Sequence, residues 1–315
     1  MKRHFGEGIF ILVLFFSICL VCFPSHSTAQ KVISMNYSNF FPAPHKHSIL
    51  AEQWCREVEK RTNGRVKITY FPGGTLTPAA QIFDGVVKGI SDIGFSCFTY
   101  TRGKFPLTEV IDLPIGIKDG TTATRLINEY YKKFKPKEMD DVQVMYLHAH
   151  GPAKLHTKTP VYRLEDLKGM KIRATGLASK IVTALGAAPV GTTMPETYDA
   201  LRTGVAQGAF SPFEALEGFK WGEVVKYSTV SYSSGYSTGM FIVMNKNRWN
   251  SLPPDIQMII TEINQEWIER QAKVWDEIEL AGIEFIKKRG NKIIYLSKEE
   301  DERWAVASGR FSMSI

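Results

Sequence analysis

From about Pro254 to Arg289 the sequence keeps a helical repeat that stops only at Gly290. Pro254 suits a first helical position, and Gly290 suits the left-handed residue just past a helix end. At 1.5 Å per residue such a helix exceeds ~50 Å, more than one small domain needs. A chain carrying it is expected to form two lobes, with the helix spanning both.

The rest of the sequence supplies material for two lobes. Val32 to Met35 reads as a short strand, and a helix follows with Leu50, Trp54 and Val58 on one face, ending at Asn63-Gly64. Val66 to Tyr70 alternates as a strand should, Gly73-Gly74 turns, and Pro78 opens a helix that runs to Gly89. Asp92 to Ser96 returns to strand. A second series starts near Gly151: the strand Lys171 to Arg173, a helix through Ile181 and Leu185, another from Pro195 to Gly204, and the apolar strand Met240 to Met244. Such alternation predicts mostly parallel sheets with helices on their faces.

Lys2 and Arg3 precede an apolar run from Ile9 to Phe23, and Ser27-Thr28-Ala29 offers small residues to a signal peptidase. The run is about fifteen residues, short of the ~20 that a membrane span needs. We expect export to the periplasm and cleavage near Ala29, which leaves 315 − 29 = 286 residues, room for two domains. Apolar residues make up 44% and charged residues 23%, as in ordinary globular chains. The formal charge is +7, of which Lys2, Arg3 and Glu7 contribute +1; the remaining +6 is interspersed with acids. No arginine-rich block or zinc-finger spacing occurs, so nucleic acid is not an expected partner, whereas a mild positive excess suits small anions. Cys19 and Cys22 leave with the signal, and Cys55 and Cys97 are expected to be buried free thiols.

Three patterns raise the question of catalysis. Gly235-Tyr236-Ser237-Thr238-Gly239 fits the G-x-S-x-G nucleophile elbow, but an elbow leads into a helix, and here an apolar strand follows. The last histidine is His156, so the order serine, acid, histidine cannot be built. His45-Lys46-His47 and His148-Ala149-His150 each space two imidazoles at i, i+2, yet no nearby Cys or Glu completes a zinc site. No phosphate loop or G-x-G-x-x-G after a strand is present. Catalysis, a metal and a cofactor are therefore not expected. Arg173, at the end of a short strand, sits where open α/β sheets keep ligands, and its planar fork fits a carboxylate. On the residues alone, an ion-paired surface arginine is an equal reading.

Several segments together resemble the solute receptors of tripartite ATP-independent periplasmic (TRAP) transporters, the DctP-type family. These are Thr62 to Val66 followed by Tyr70 to Leu76, Gly89 to Ser96, Leu113-Pro114, Leu167 to Arg173, and Glu196 to Gly204. The resemblance implies an α/β fold of two lobes with crossing strands and a long inter-lobe helix. Lobe I would comprise 30–150 and about 239–278; lobe II, about 151–238 and 279–315. It also implies capture of a small organic acid for delivery to membrane permease subunits.

In that family an arginine matching Arg173 pairs with the ligand carboxylate. The resemblance places Asn36, Phe41, Ser96, Cys97 and Phe98 toward the ligand from lobe I, and Met194, Phe210, Ser211 and Tyr236 from lobe II. Phe40, Tyr100 and Phe213 lie on pocket-facing segments too. This chain departs from the family at Ser211, where many members have Asn, at Ala153, where some carry a second arginine, and at Met194, where some carry an aromatic. The set points to a monocarboxylate with an apolar or aromatic body. A dicarboxylate or sugar-acid receptor of the same family and a periplasmic ligand sensor are the competing readings.

Overall fold

The computed structural model describes residues 32–309. The expected signal segment lies outside the described residues. β1 (Ile33–Asn39), β2 (Val66–Phe71), β3 (Ile93–Cys97) and β4 (Val142–Ala149) build one sheet. The chain then crosses through four residues, 150–153, and builds a second sheet from β5 (Lys154–Thr157), β6 (Lys171–Arg173), β7 (Ala188–Val190), β8 (Gly208–Ser211) and β9 (Tyr227–Val230). It crosses back to add β10 (Gly239–Asn245) to the first sheet. After the helix Pro254–Lys288 it adds β11 (Lys292–Tyr295) to the second. The architecture is the expected two-lobed α/β fold with crossing strands and a long helix.

The first sheet has the order β2-β1-β3-β10-β4, the second β11-β9-β5-β8-β6-β7. Among the described residues each holds one reversed strand. β10 is antiparallel to both β3 and β4, and β5 is antiparallel to both β8 and β9. The other neighbours are parallel. Both reversed strands follow directly on a crossing, so each enters its new sheet from the cleft. The consequence is geometric: the forward strands of both sheets point their carboxyl ends at the cleft.

Local sequence sets these elements as expected. Helix Lys46–Arg61 buries Leu50, Trp54 and Val58, and Gly64 (φ +75°) closes it with a hydrogen bond from its N–H to the Glu59 carbonyl, 2.8 Å. Thr193 and Glu196 form a capping box at the start of helix Met194–Thr203. The long helix is fixed to the first lobe through three indoles. Trp54 Nε1 donates to Asn264 Oδ1 (3.0 Å), Trp267 Nε1 to the Leu50 carbonyl (3.1 Å), and Trp275 Nε1 to His148 Nδ1 (2.9 Å). Further along, Gly282 lies so close to the second lobe that a Cβ would fall 2.1 Å from the Phe213 carbonyl oxygen. One helix thus packs against both lobes. Among the described residues no helix is long and apolar enough to cross a membrane.

Candidate functional site

At the facing carboxyl ends lies a partly open pocket, with about 360 Å³ free of atoms when the solvent at its mouth is counted. The first sheet and the turns past its strand ends contribute Phe41, Cys97, Thr99, Tyr100 and Met240, and the crossings contribute His150, Tyr236 and Thr238. The second lobe contributes Arg173, Thr175, Met194, Phe210, Ser211, Pro212 and Glu214.

Arg173 ends β6, in register with Val190 and Ala209 of its neighbours, and is 4% exposed. Its Nε donates to the Thr192 carbonyl at 2.9 Å, and its guanidinium carbon stands 5.7 Å from the Trp221 ring centre. Among the described residues no Asp or Glu pairs with it. A desolvated guanidinium with spare N–H groups and no anion of its own is an anion site in waiting. Among the described residues it is also the only Lys or Arg lining the cavity. Lys154, beside the Ala153 position, turns away: it pairs with Glu279 and stands 5.4 Å from the Phe213 ring centre.

The aromatic wall is held by partners within the chain. Tyr100 Oη accepts the Met194 N–H at 2.9 Å, and Tyr236 Oη donates to the Phe210 carbonyl at 3.2 Å. Phe41 packs 5.6 Å from Phe219. Cys97 is a buried free thiol, as is Cys55, and burial pushes the Cys97 thiol up to about 12. His150 donates from Nδ1 to the Gly151 carbonyl, and burial pulls it down to about 4, so it is neutral.

Of the ten residues expected at the ligand, the structure brings Arg173, Ser211, Met194, Phe210, Cys97, Phe41 and Tyr236 to this cavity. Ser96, Phe98 and Asn36 do not line it. Strand alternation turns Ser96 away from Cys97, and its hydroxyl donates to the Ala79 carbonyl at 2.8 Å. Phe98 packs behind the wall on Phe105 and Phe241, with ring centres at 4.9 and 5.3 Å. Asn36 sits three residues before the carboxyl end of β1, roughly 10 Å along the strand. Phe40 and Phe213 are likewise packed outside the lining, Phe40 stacked on Phe41 at 4.2 Å and Phe213 edge-on to His156 at 5.3 Å. Ser211 lines the cavity, but its hydroxyl donates to the Pro212 carbonyl at 3.0 Å and is not the free donor expected of it.

Thr99, Thr175, His150, Thr238, Met240 and Glu214 were not anticipated. Thr175 and Glu214 follow Arg173 and Ser211 by two and three residues, past the same strand ends. Ser237 of the elbow pattern is buried and donates to the His150 carbonyl; among the described residues no imidazole pairs with it.

The model of the bacterial extracellular solute-binding proteins, family 7 (DctP), matches residues 38–311. Among solved structures the chain is similar to a TRAP periplasmic solute-binding protein from Desulfovibrio salexigens DSM2638, captured as an open complex. The two are 36% identical with a TM-score of 0.75, over 88% of this chain and 87% of that one. It is also similar to a marine-metagenome TRAP solute-binding protein specific for aromatic acids, solved with metahydroxyphenylacetate: 27% identity, TM-score 0.84, over 88% and 90%. The 2,3-diketo-L-gulonate-binding periplasmic protein YiaO of Escherichia coli K12 is 25% identical over 87% of this chain and 84% of its own.

Proposed function

The chain belongs to family 7 of the bacterial extracellular solute-binding proteins, and on that premise we propose that it captures a monocarboxylate with an apolar or aromatic body. The observation carrying this reading is Arg173, a buried guanidinium without an anion of its own. The ligand carboxylate takes that place with charge-assisted hydrogen bonds. A single fixed cation in the lining favours one carboxylate over two. Phe41, Tyr100, Met194, Phe210 and Tyr236 then surround the body, with Cys97 and Ser211 at its edge. The aromatic-acid specificity of the marine-metagenome relative supports this choice, and the diketogulonate binding of YiaO defines the rival, a sugar acid.

In this reading the chain is exported, cleaved near Ala29, and hands its acid to TRAP permease subunits in the membrane without catalysis. Lobe I comprises 30–150 and about 239–278, and lobe II about 151–238 and 279–315. A thermal-shift panel of organic acids on the purified protein tests the ligand class. Aromatic monocarboxylates should raise the Tm, each by an amount set by its affinity. Stabilisation by hexuronates or dicarboxylates alone would overturn the proposal.

A further inference from the structure

We infer that Glu214 is a specificity-determining residue that demands of the bound acid a hydrogen-bond donor, a hydroxyl or an N–H, besides its carboxylate. This rests on the reading that the carboxylate pairs with Arg173. Glu214 is 3% exposed and lines the same cavity. One of its oxygens is already engaged: Oε2 lies 3.0 Å from His45 Nε2. The backbone N–H of His47 donates to His45 Nδ1 at 3.2 Å, which leaves that nitrogen unprotonated and puts the ring proton on Nε2, facing Glu214.

The other oxygen, Oε1, accepts from no group among the described residues. Glu214 lines the cavity, so this oxygen is an acceptor that a donor on the ligand can reach. The bond that fixes its partner oxygen is built in, because the backbone of Gly218 passes where a Cβ would lie 2.4 Å from His45 Nε2. The cavity thus presents a cation and, separately, an acceptor held in place. An acid with a hydroxyl or N–H satisfies both. An acid with only a carbonyl or a second carboxylate there meets lone pairs with lone pairs.

Calorimetric titration with acids of matched shape tests this: phenylacetate, mandelate and phenylglyoxylate, and benzoate with its 3- and 4-hydroxy derivatives. In the wild type, the best hydroxyl-bearing acid should bind about ten- to a hundredfold more tightly than its parent, the worth of a hydrogen bond to a charged group. Glu214→Gln keeps the shape, but with its amide oxygen held by His45 it puts an NH2 where Oε1 was. That variant should lose the hydroxyl preference and favour phenylglyoxylate over mandelate. Hydroxyl acids no tighter than their parents on the wild type, or a preference that survives Glu214→Gln, would overturn the inference. Should no acid bind, or should Arg173→Ala leave binding unchanged, the failure belongs to the Arg173 reading and the inference falls with it.

Discussion

His45 Nε2 and Glu214 Oε2 meet at 3.0 Å across the cleft, one just past β1 of the first sheet and the other just past β8 of the second. They are 169 residues apart in sequence and both are buried. Only a glycine at 218 leaves room for them, since a methyl there would also stand 3.1 Å from Glu214 Oε2. Gly218→Ala should therefore push the His45 ring away and disfavour the closed arrangement of the lobes. Small-angle scattering should report a larger radius for the variant with ligand. Affinity for every acid should fall by a similar factor, on the order of tenfold, as it does when the competent state becomes scarcer. Wild-type affinity and radius would show that this contact does not hold the lobes together.

Replacing Arg173 separates binding from stability. Arg173→Met should cost acid binding about 2–5 kcal/mol, the usual loss when one member of a buried charge pair is removed. The unliganded variant should be no less stable than wild type, and even more so, because a desolvated cation without an anion has gone. Calorimetry and thermal melts of the same samples check both. A large drop in the unliganded Tm would mean that Arg173 is chiefly structural.

Asp112 is buried at the end of a short 3-10 turn, Thr108–Asp112. Its Oδ1 accepts the Gly239 N–H at 3.2 Å, while Oδ2 has no partner. Burial holds its carboxyl well above the ordinary range. The native chain therefore keeps a proton that the unfolded chain sheds near pH 4, and stability falls as pH rises beyond that point. Asp112→Asn preserves the acceptor and removes the charge. It should raise the Tm at pH 8, by ~2–4 °C for each kcal/mol of desolvation relieved. The gain should shrink to nothing below about pH 4.

Four buried histidines set the acid limit. Burial pulls His47 and His148 well below the ordinary imidazole range, His150 down to about 4 and His156 down to about 3. Below about pH 6.5 the unfolded chain takes up protons that the native state refuses. The histidines' share of stability is complete above that value and is lost on acidification, by ~1.4 kcal/mol per pH unit for each histidine still neutral in the fold. Urea midpoints should fall steadily from pH 6.5 to 4. A flat profile over that range would contradict the assignment.

The long helix, Pro254–Lys288, was legible because its repeat and its stop at Gly290 are local properties. Arg173 was legible as a strand end, and the role proposed for it came from the family likeness. That Ser96 and Phe98 turn away from the cavity while Cys97 lines it has one physical origin. Whether Ser96, Cys97 or Phe98 faces the cavity depends on how β3 sits between β1 and β10, and a one-residue shift exchanges the faces. Met240 pairs with Cys97 in that register, and both reach the cavity. The Glu214–His45 bond joins segments far apart in the chain, which no local pattern announces.

Each sheet is completed by a strand that the gene encodes after the bulk of the other: β10 follows β5 to β9, and β11 follows the long helix. No single cut in the coding sequence frees an intact half, so recombination cannot shuffle one pocket wall against another without destroying both. A change in what the cavity accepts therefore has to come from single substitutions in its lining, made on a scaffold inherited whole.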